Sequence, residues 1–167
     1  MRPPASPTTP STSNHWVPEQ TESRRRMSDV RSEGLQVRRA SSAPIRHFTD
    51  LIVWQRAHAV AQDVFQLSKS WPAEEKYALT DQIRRSSRSV GANIAEGWGK
   101  RRYEAAFVAK LVDADGEAHE TEHWLITAEG HGYISPQQSA DLRSRLSEVG
   151  RMLGAMIKNP APFVTKR

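Results

Sequence analysis

Cysteine is absent from all 167 residues. That absence excludes a disulfide scaffold, a thiolate zinc finger, an iron–sulfur cluster and a cysteine nucleophile, and it leaves the redox compartment undetermined. Long apolar runs are missing as well. Stretches such as Leu51 to Trp54 are far shorter than the roughly 20 residues of a membrane-spanning helix or the core of a signal peptide. From Phe48 onward no strict apolar–polar alternation bounded by hairpin turns occurs, so a sheet has nothing to be built from. Aromatic residues make up only 7%, and among them only Trp98 and Tyr103 lie beside the arginines of 84–102, where either ring could stack on a base but packing in the bundle or at a subunit contact is the plainer reading. These absences leave a soluble, cytoplasmic, helical protein with one folded domain as the expectation.

The charge that is present is unevenly placed. The net value is +5. Residues 1–47 hold eight Arg against four acids, while residues 48–167 hold 16 basic and 15 acidic side chains. The first segment also carries six Pro, eight Ser and four Thr with few core-building residues, a composition that cannot offset its ordering entropy. It reads as a disordered basic arm bearing the Arg24-Arg25-Arg26 run and the Arg38-Arg39 pair. Met27 is an alternative start that would delete the first run.

From residue 48 the apolar spacing becomes helical. Leu51, Trp54, Ala57, Ala61, Val64 and Leu67 fall on one face, with Thr49 or Asp50 placed to cap and Trp71-Pro72 placed to stop the helix. Leu79, Ile83, Ser87, Val90 and Ile94 mark a second helix ending near Gly97 and Gly99. Phe107, Leu111, Ala114, Ala118, Thr121, Leu125 and Ala128 repeat at steps of four and three, the spacing of a shallow-angle packing seam, closed by Gly130 and Gly132. Ser135-Pro136-Gln137-Gln138 combines a capping serine, proline at the first helical position and a glutamine that completes a capping box. Leu142, Leu146, Val149, Leu153 and Met156 follow, and Asn159-Pro160 ends the fourth helix. The expected fold is all-α: an antiparallel up-down-up-down four-helix bundle over 48–159, with a disordered tail at 1–47 and a short C-terminal tail at 160–167.

The stretch Gln82-Ile83-Arg84-Arg85-Ser86-Ser87-Arg88-Ser89-Val90-Gly91-Ala92-Asn93-Ile94-Ala95-Glu96-Gly97 resembles the hallmark of the four-helix bundle proteins encoded in intervening sequences of bacterial 23S rRNA genes. Phe48, Asp50-Leu51 and Val53-Trp54-Gln55 resemble that family's opening. Trp71-Pro72 with Glu75, Gly116 with Glu120-Thr121-Glu122, and Gly132-Tyr133 resemble its later anchors. The resemblance implies a non-enzymatic bundle that assembles into a ring, a homopentamer. It also points to a related branch that serves reverse transcriptases of diversity-generating retroelements, where a basic surface engages nucleic acid and the enzyme. Trp54, Gln82, Asn93, Glu96 and Gly97 are its motif residues, and a structural role suits them: hydrogen bonds across helices or subunits from Asn93 and Glu96, and a left-handed helix end at Gly97. Two departures stand out. Gly91 replaces the usual proline, and Arg102 stands where a serine cap is common, which leaves the start of the third helix weakly specified.

His119-Glu120-Thr121-Glu122-His123 satisfies the H-E-x-x-H pattern of zinc proteases, in which two histidines one turn apart hold the metal and the glutamate activates water. A catalytic zinc needs a third protein ligand, and the extended pattern fails because Ile126 and Glu129 stand where glycine and histidine belong. A di-iron bundle needs two Glu-x-x-His pairs, and Glu120-x-x-His123 has no counterpart. The plainer reading is a polar helix face, with no metal, no cofactor and no catalytic residue.

Arg84, Arg85, Arg88, Lys100, Arg101 and Arg102 face a single acid, Glu96, in the same interval. They are the candidate nucleic-acid contacts, arranged as one positive end or stripe, because guanidinium groups grip phosphate oxygens by paired hydrogen bonds. The plainer alternative is a solvated face in which Asp81 pairs with Arg85 and Glu96 with Lys100. Function thus divides between a ring-forming adaptor that binds RNA or DNA without sequence preference and a scaffold that holds a protein partner, such as a reverse transcriptase, without nucleic acid. Trp124, Ile126 and Ile52 lie off the helical seams and suit a subunit contact.

Overall fold

A computed structural model describes residues 44–165; the expectations for the basic arm, its arginine runs and Met27 lie outside the described residues. Four α-helices carry the fold: α1 (Ile52–Leu67), α2 (Asp81–Lys100), α3 (Glu104–Gly130) and α4 (Pro136–Lys158), with no strand among the described residues. Each packs against its chain neighbours, and α4 closes the ring of helices against α1. Neighbours run in opposite directions, as the residue pairs between them require. Trp54 meets Gly91 while Ser68 meets Arg84; Arg85 meets Glu120 while Asn93 meets Lys110; Arg143 meets Glu122 while Gly150 meets Asp115. The bundle is antiparallel.

The four apolar seams are the core. Every residue of the seam from Phe107 to Ala128 is buried, as are Ile83, Val90 and Ile94 of α2 and Leu142, Leu146, Val149, Leu153 and Met156 of α4. One polar pair is sealed inside: Thr121 Oγ1 lies 3.0 Å from Ser86 Oγ and donates to the Glu117 carbonyl at 2.8 Å, so the α2–α3 contact holds hydroxyls without leaving them unpaired.

The helix ends follow local chemistry, with some differences from expectation. Ser135 and Gln138 form the capping box, each bonded to the other's backbone N–H. Gly132 adopts φ 75°, and the N–H groups of Gly132 and Tyr133 donate to the carbonyls of Glu129 and Ala128; this paired closure places glycine at the left-handed position. At the other end of the sequence neither Thr49 nor Asp50 caps α1. Asp50 instead accepts from the backbone N–H groups of Arg46 and His47, closing a 3-10 turn over Phe48–Asp50 that His47 caps, and α1 starts after Leu51 with no side-chain cap. The α-helical part of α1 stops at Leu67, and a 3-10 turn carries the chain to Trp71, which proline at 72 holds extended. A π-helical turn, Lys76–Thr80, then leads into α2. α2 runs straight through Gly97 and Gly99 to Lys100.

Residues 160–165 lie against the end of the bundle, while 166 and 167 lie outside the described residues. Phe163 packs on Phe107 with ring centroids 6.3 Å apart, and the Thr165 N–H donates to the Arg101 carbonyl. At the opposite end, Tyr133 donates to Glu75 Oε1 at 3.1 Å and its ring lies 6.0 Å from that of Trp71, which ties the α1–α2 connection to the α3–α4 turn.

Candidate nucleic-acid interface

Of the motif residues of α2, Asn93, Glu96 and Gly97 meet α3, whereas Gln82 accepts a hydrogen bond from Arg85 within α2. Lys110 of α3 reaches Glu96 Oε2 and Asp113 Oδ2, each at 3.1 Å, and donates to Asn93 Oδ1 at 3.5 Å. Glu96 also takes Lys100 at 2.6 Å. The two lysines hold the Glu96 carboxyl below the usual carboxylate range, and Asp113 and Glu96 hold the Lys110 ammonium above its ordinary value. Gly97 is not a left-handed helix end. It is buried inside α2, and a Cβ there would lie 3.2 Å from Lys110 Cβ and 3.5 Å from the Phe107 carbonyl. Its lack of a side chain sets how closely α2 approaches α3. Gly91 has a similar use, because a Cβ on it would already touch the Trp54 indole at 3.4 Å. Trp54 in turn stacks on His58, centroids 4.8 Å apart with planes 10° from parallel.

The six cations between 84 and 102 divide among several places. Arg84 and Arg88 point toward α1, where their guanidinium carbons lie 5.1 and 5.4 Å from the Phe65 ring centroid. Arg84 Nε also donates to Ser68 Oγ at 2.7 Å. Arg85 turns toward α3: it donates to Gln82 Oε1 at 2.8 Å and lies 3.9 Å from Glu120. Lys100 is paired with Glu96. Arg101 lies over the buried Trp98 ring at 4.0 Å and donates to the Trp98 carbonyl. Arg102 is exposed in the α2–α3 turn. From Arg84 to Arg101 the chain takes seventeen steps of about 1.5 Å, about 25 Å in all, so the cluster of the sequence forms two stations, one in the first half of α2 and one at its end, and not one patch.

The first station contains a residue that the spacing of α2 cannot reveal. Lys69, just past α1, places Nζ 4.8 Å from the same Phe65 ring. Three cations thus surround one half-buried aromatic face, and among the described residues none of them has a carboxylate within 4.0 Å. The signal in the sequence is Phe65-x-x-x-Lys69, a pair one helical turn apart that lies off the buried seam.

The acids and histidines of α3 are used differently. Glu122 accepts from Arg143 and Glu120 from Trp124 Nε1, both at 3.1 Å. Burial, then the neighbouring Glu120 charge, pushes the Glu117 carboxyl up. His119 Nδ1 lies 2.8 Å from the Asp115 carbonyl, and His123 packs edge-on against Trp124. Among the described residues no three His, Asp or Glu side chains converge in a way that would hold a metal ion.

The profile of the 23S rRNA-intervening sequence proteins matches residues 49–155. The chain belongs to that family. A crystal structure of a protein of unknown function from the S23 ribosomal protein family of Bacteroides thetaiotaomicron is similar to it. The two share 32% sequence identity and a TM-score of 0.59, over 65% of this chain and all of the other. No curated protein matches the sequence. The match to the 23S rRNA-intervening sequence proteins spans α1, α2, α3 and most of α4, so the Lys69–Arg84–Arg88 station lies inside the family's common bundle. No helix among the described residues is long and apolar enough to cross a membrane.

Proposed function

We propose that this protein is a non-enzymatic, ring-forming adaptor of the cytoplasm that holds RNA or DNA through phosphate contacts without reading base sequence. What supports the reading is the station around Phe65: Lys69, Arg84 and Arg88 converge there with no carboxylate of the described residues beside them. Paired surface cations lose little by staying in water, whereas uncompensated ones release counterions when phosphates bind. A ring multiplies such stations, and repeated weak contacts add through effective concentration. Arg102 and Arg101 at the α2–α3 turn supply a second station on each copy.

The test is fluorescence anisotropy with labelled single- and double-stranded oligonucleotides of several sequences, titrated against salt. Lys69→Gln with Arg102→Gln weakens binding to all of them. On duplex DNA it also makes the fall of log affinity with log salt shallower, by about 0.9 for each phosphate the variant no longer neutralises. Unchanged affinity and slope remove these residues from the interface; no binding by the unmodified protein removes the reading.

A protein-holding scaffold is the second reading, and the exposure of Val112 (53%) and Ile126 (48%) on α3 favours it. Recovery of the same protein partners after nuclease treatment would select it.

A further inference from the structure

Two histidines of α3 belong neither to the core nor to the cation cluster around Phe65. His119 and His123 are both exposed, and they stand four residues apart on one continuous helix. That spacing puts their Cβ atoms about 5–6 Å apart on the same face, close enough for two imidazoles to share one ion. No other pair of histidines in the sequence is so spaced.

The carboxylates between and beside them are engaged elsewhere. Glu122 accepts from Arg143 at 3.1 Å. Glu120 accepts from Trp124 Nε1 at 3.1 Å and lies 3.9 Å from Arg85. The group that would serve a zinc protease as its base is thus occupied by the Trp124 indole and by α2, and the histidines are left to bind without a base.

His119 shows how the pair is prepared. Its Nδ1 lies 2.8 Å from the Asp115 carbonyl oxygen and 3.9 Å from Asp115 Oδ2. A carbonyl oxygen only accepts, so Nδ1 carries the hydrogen, and in the neutral ring the lone pair is on Nε2. A carbonyl or carboxylate behind the ring is the arrangement that accompanies metal-bound imidazoles, where it fixes the tautomer and raises the basicity of the ligating nitrogen. The side chain is 72% exposed, which gives an ion its path in. The ring of His123 rests edge-on against Trp124, centroids 4.8 Å apart, so it has less freedom to lose on taking up a ligand position.

We propose that His119 and His123 chelate one zinc-class divalent cation, Zn²⁺, Ni²⁺ or Cu²⁺, as a two-nitrogen site on α3. Imidazole suits these ions, whereas Mg²⁺ and Ca²⁺ take oxygen ligands. Two protein nitrogens are one fewer than a catalytic zinc requires, so the site binds and does not catalyse. The ion bridges consecutive turns only while α3 is helical, and its binding therefore stabilises the folded protein. The site shares no residue with the nucleic-acid stations of α2 and stands or falls without them.

The untagged full chain is titrated with Zn²⁺, and separately with Cu²⁺, by calorimetry, beside His119→Gln, His123→Gln, the double variant and Glu120→Gln. Both histidines are exposed, so with a chelator present their variants keep the parent's melting temperature. The parent takes up one Zn²⁺ per chain that excess Mg²⁺ does not displace, and it binds Cu²⁺ more tightly. Either single histidine variant loses about tenfold or more in affinity, and the second substitution adds little, because a lone imidazole has no partner with which to share the ion. Saturating Zn²⁺ raises the melting temperature of the parent and of Glu120→Gln, and leaves those of the histidine variants where they were. Equal and additive losses at the two positions overturn chelation in favour of separate single-histidine contacts. A loss in Glu120→Gln as large as those in the histidine variants overturns the two-nitrogen ligand set. A parent affinity no higher than that of the double variant means adventitious binding by other groups and overturns the site.

Discussion

Ser139 is fully buried in the first turns of α4, and its hydroxyl has no hydrogen-bond partner among the described residues. A buried hydroxyl without a partner costs about 1–3 kcal/mol, and alanine is also the better helix former. Ser139→Ala therefore stabilises the protein by about 1 kcal/mol. The urea midpoint rises with an unchanged slope; a lower midpoint would mean that the hydroxyl is bonded in solution. The contrast with Thr121 is instructive at this scale. Thr121 is just as buried, yet its hydroxyl donates to the Glu117 carbonyl and lies 3.0 Å from Ser86 Oγ. Nothing in local spacing separates Thr121 from Ser139: each follows a carbonyl one turn back, and only Thr121 also meets a hydroxyl from another helix. Gly97 carries the same lesson. Its place near the end of an apolar stripe points to a helix terminus, whereas the side chain is missing to let α2 approach Phe107 and Lys110.

At the level of the element, one substitution tried at two glycines separates backbone conformation from packing. Gly132 closes α3 with φ 75°, a region that costs an L-residue with a Cβ about 1–2 kcal/mol. Gly154 lies inside α4, and a Cβ there meets nothing within 4 Å; replacing a mid-helix glycine by alanine gains about 0.5–1 kcal/mol. Thermal unfolding then moves in opposite directions, down for Gly132→Ala and up for Gly154→Ala. Equal signs would mean that the α3–α4 turn does not hold its left-handed residue. The elements are largely legible in the sequence because periodicity and caps are local: the α3 seam, the Ser135 capping box and Gly132 all follow from neighbours within a few residues. The start of α1 is not, because Asp50 has two sets of backbone N–H groups within reach and bonds the upstream pair, Arg46 and His47. The cation cluster around Phe65 is half legible. Arg84 and Arg88 share a helix and show their spacing, but Lys69 joins them only when α1 folds against α2.

For the whole molecule, acid is the condition that separates its charge relations by sign. Two backbone N–H groups, from His47 and Arg46, hold the Asp50 carboxyl below its usual value of 3.8, and Lys100 and Lys110 hold Glu96 below 4.5. A depressed folded value means that the folded state binds the proton less readily than the unfolded chain. The stabilisation is therefore present above the ordinary carboxylate range and disappears as pH falls through the folded values. Glu117 is shifted the other way by burial and by Glu120, so its protonation on the way down from neutral pH relieves repulsion within α3 and favours folding. The melting temperature should accordingly hold or rise slightly as pH falls toward the carboxylate range, then drop once Glu96 and Asp50 take up protons. Glu96→Gln, which keeps the shape and removes the charge, lowers the melting temperature at neutral pH and makes the acid limb shallower. Glu117→Gln instead raises the melting temperature at neutral pH and removes the shoulder above the limb. Parallel pH profiles for all three proteins would mean that the Lys110 bridge between α2 and α3 does not form in solution, and that the close approach at Gly97 holds the two helices together without it.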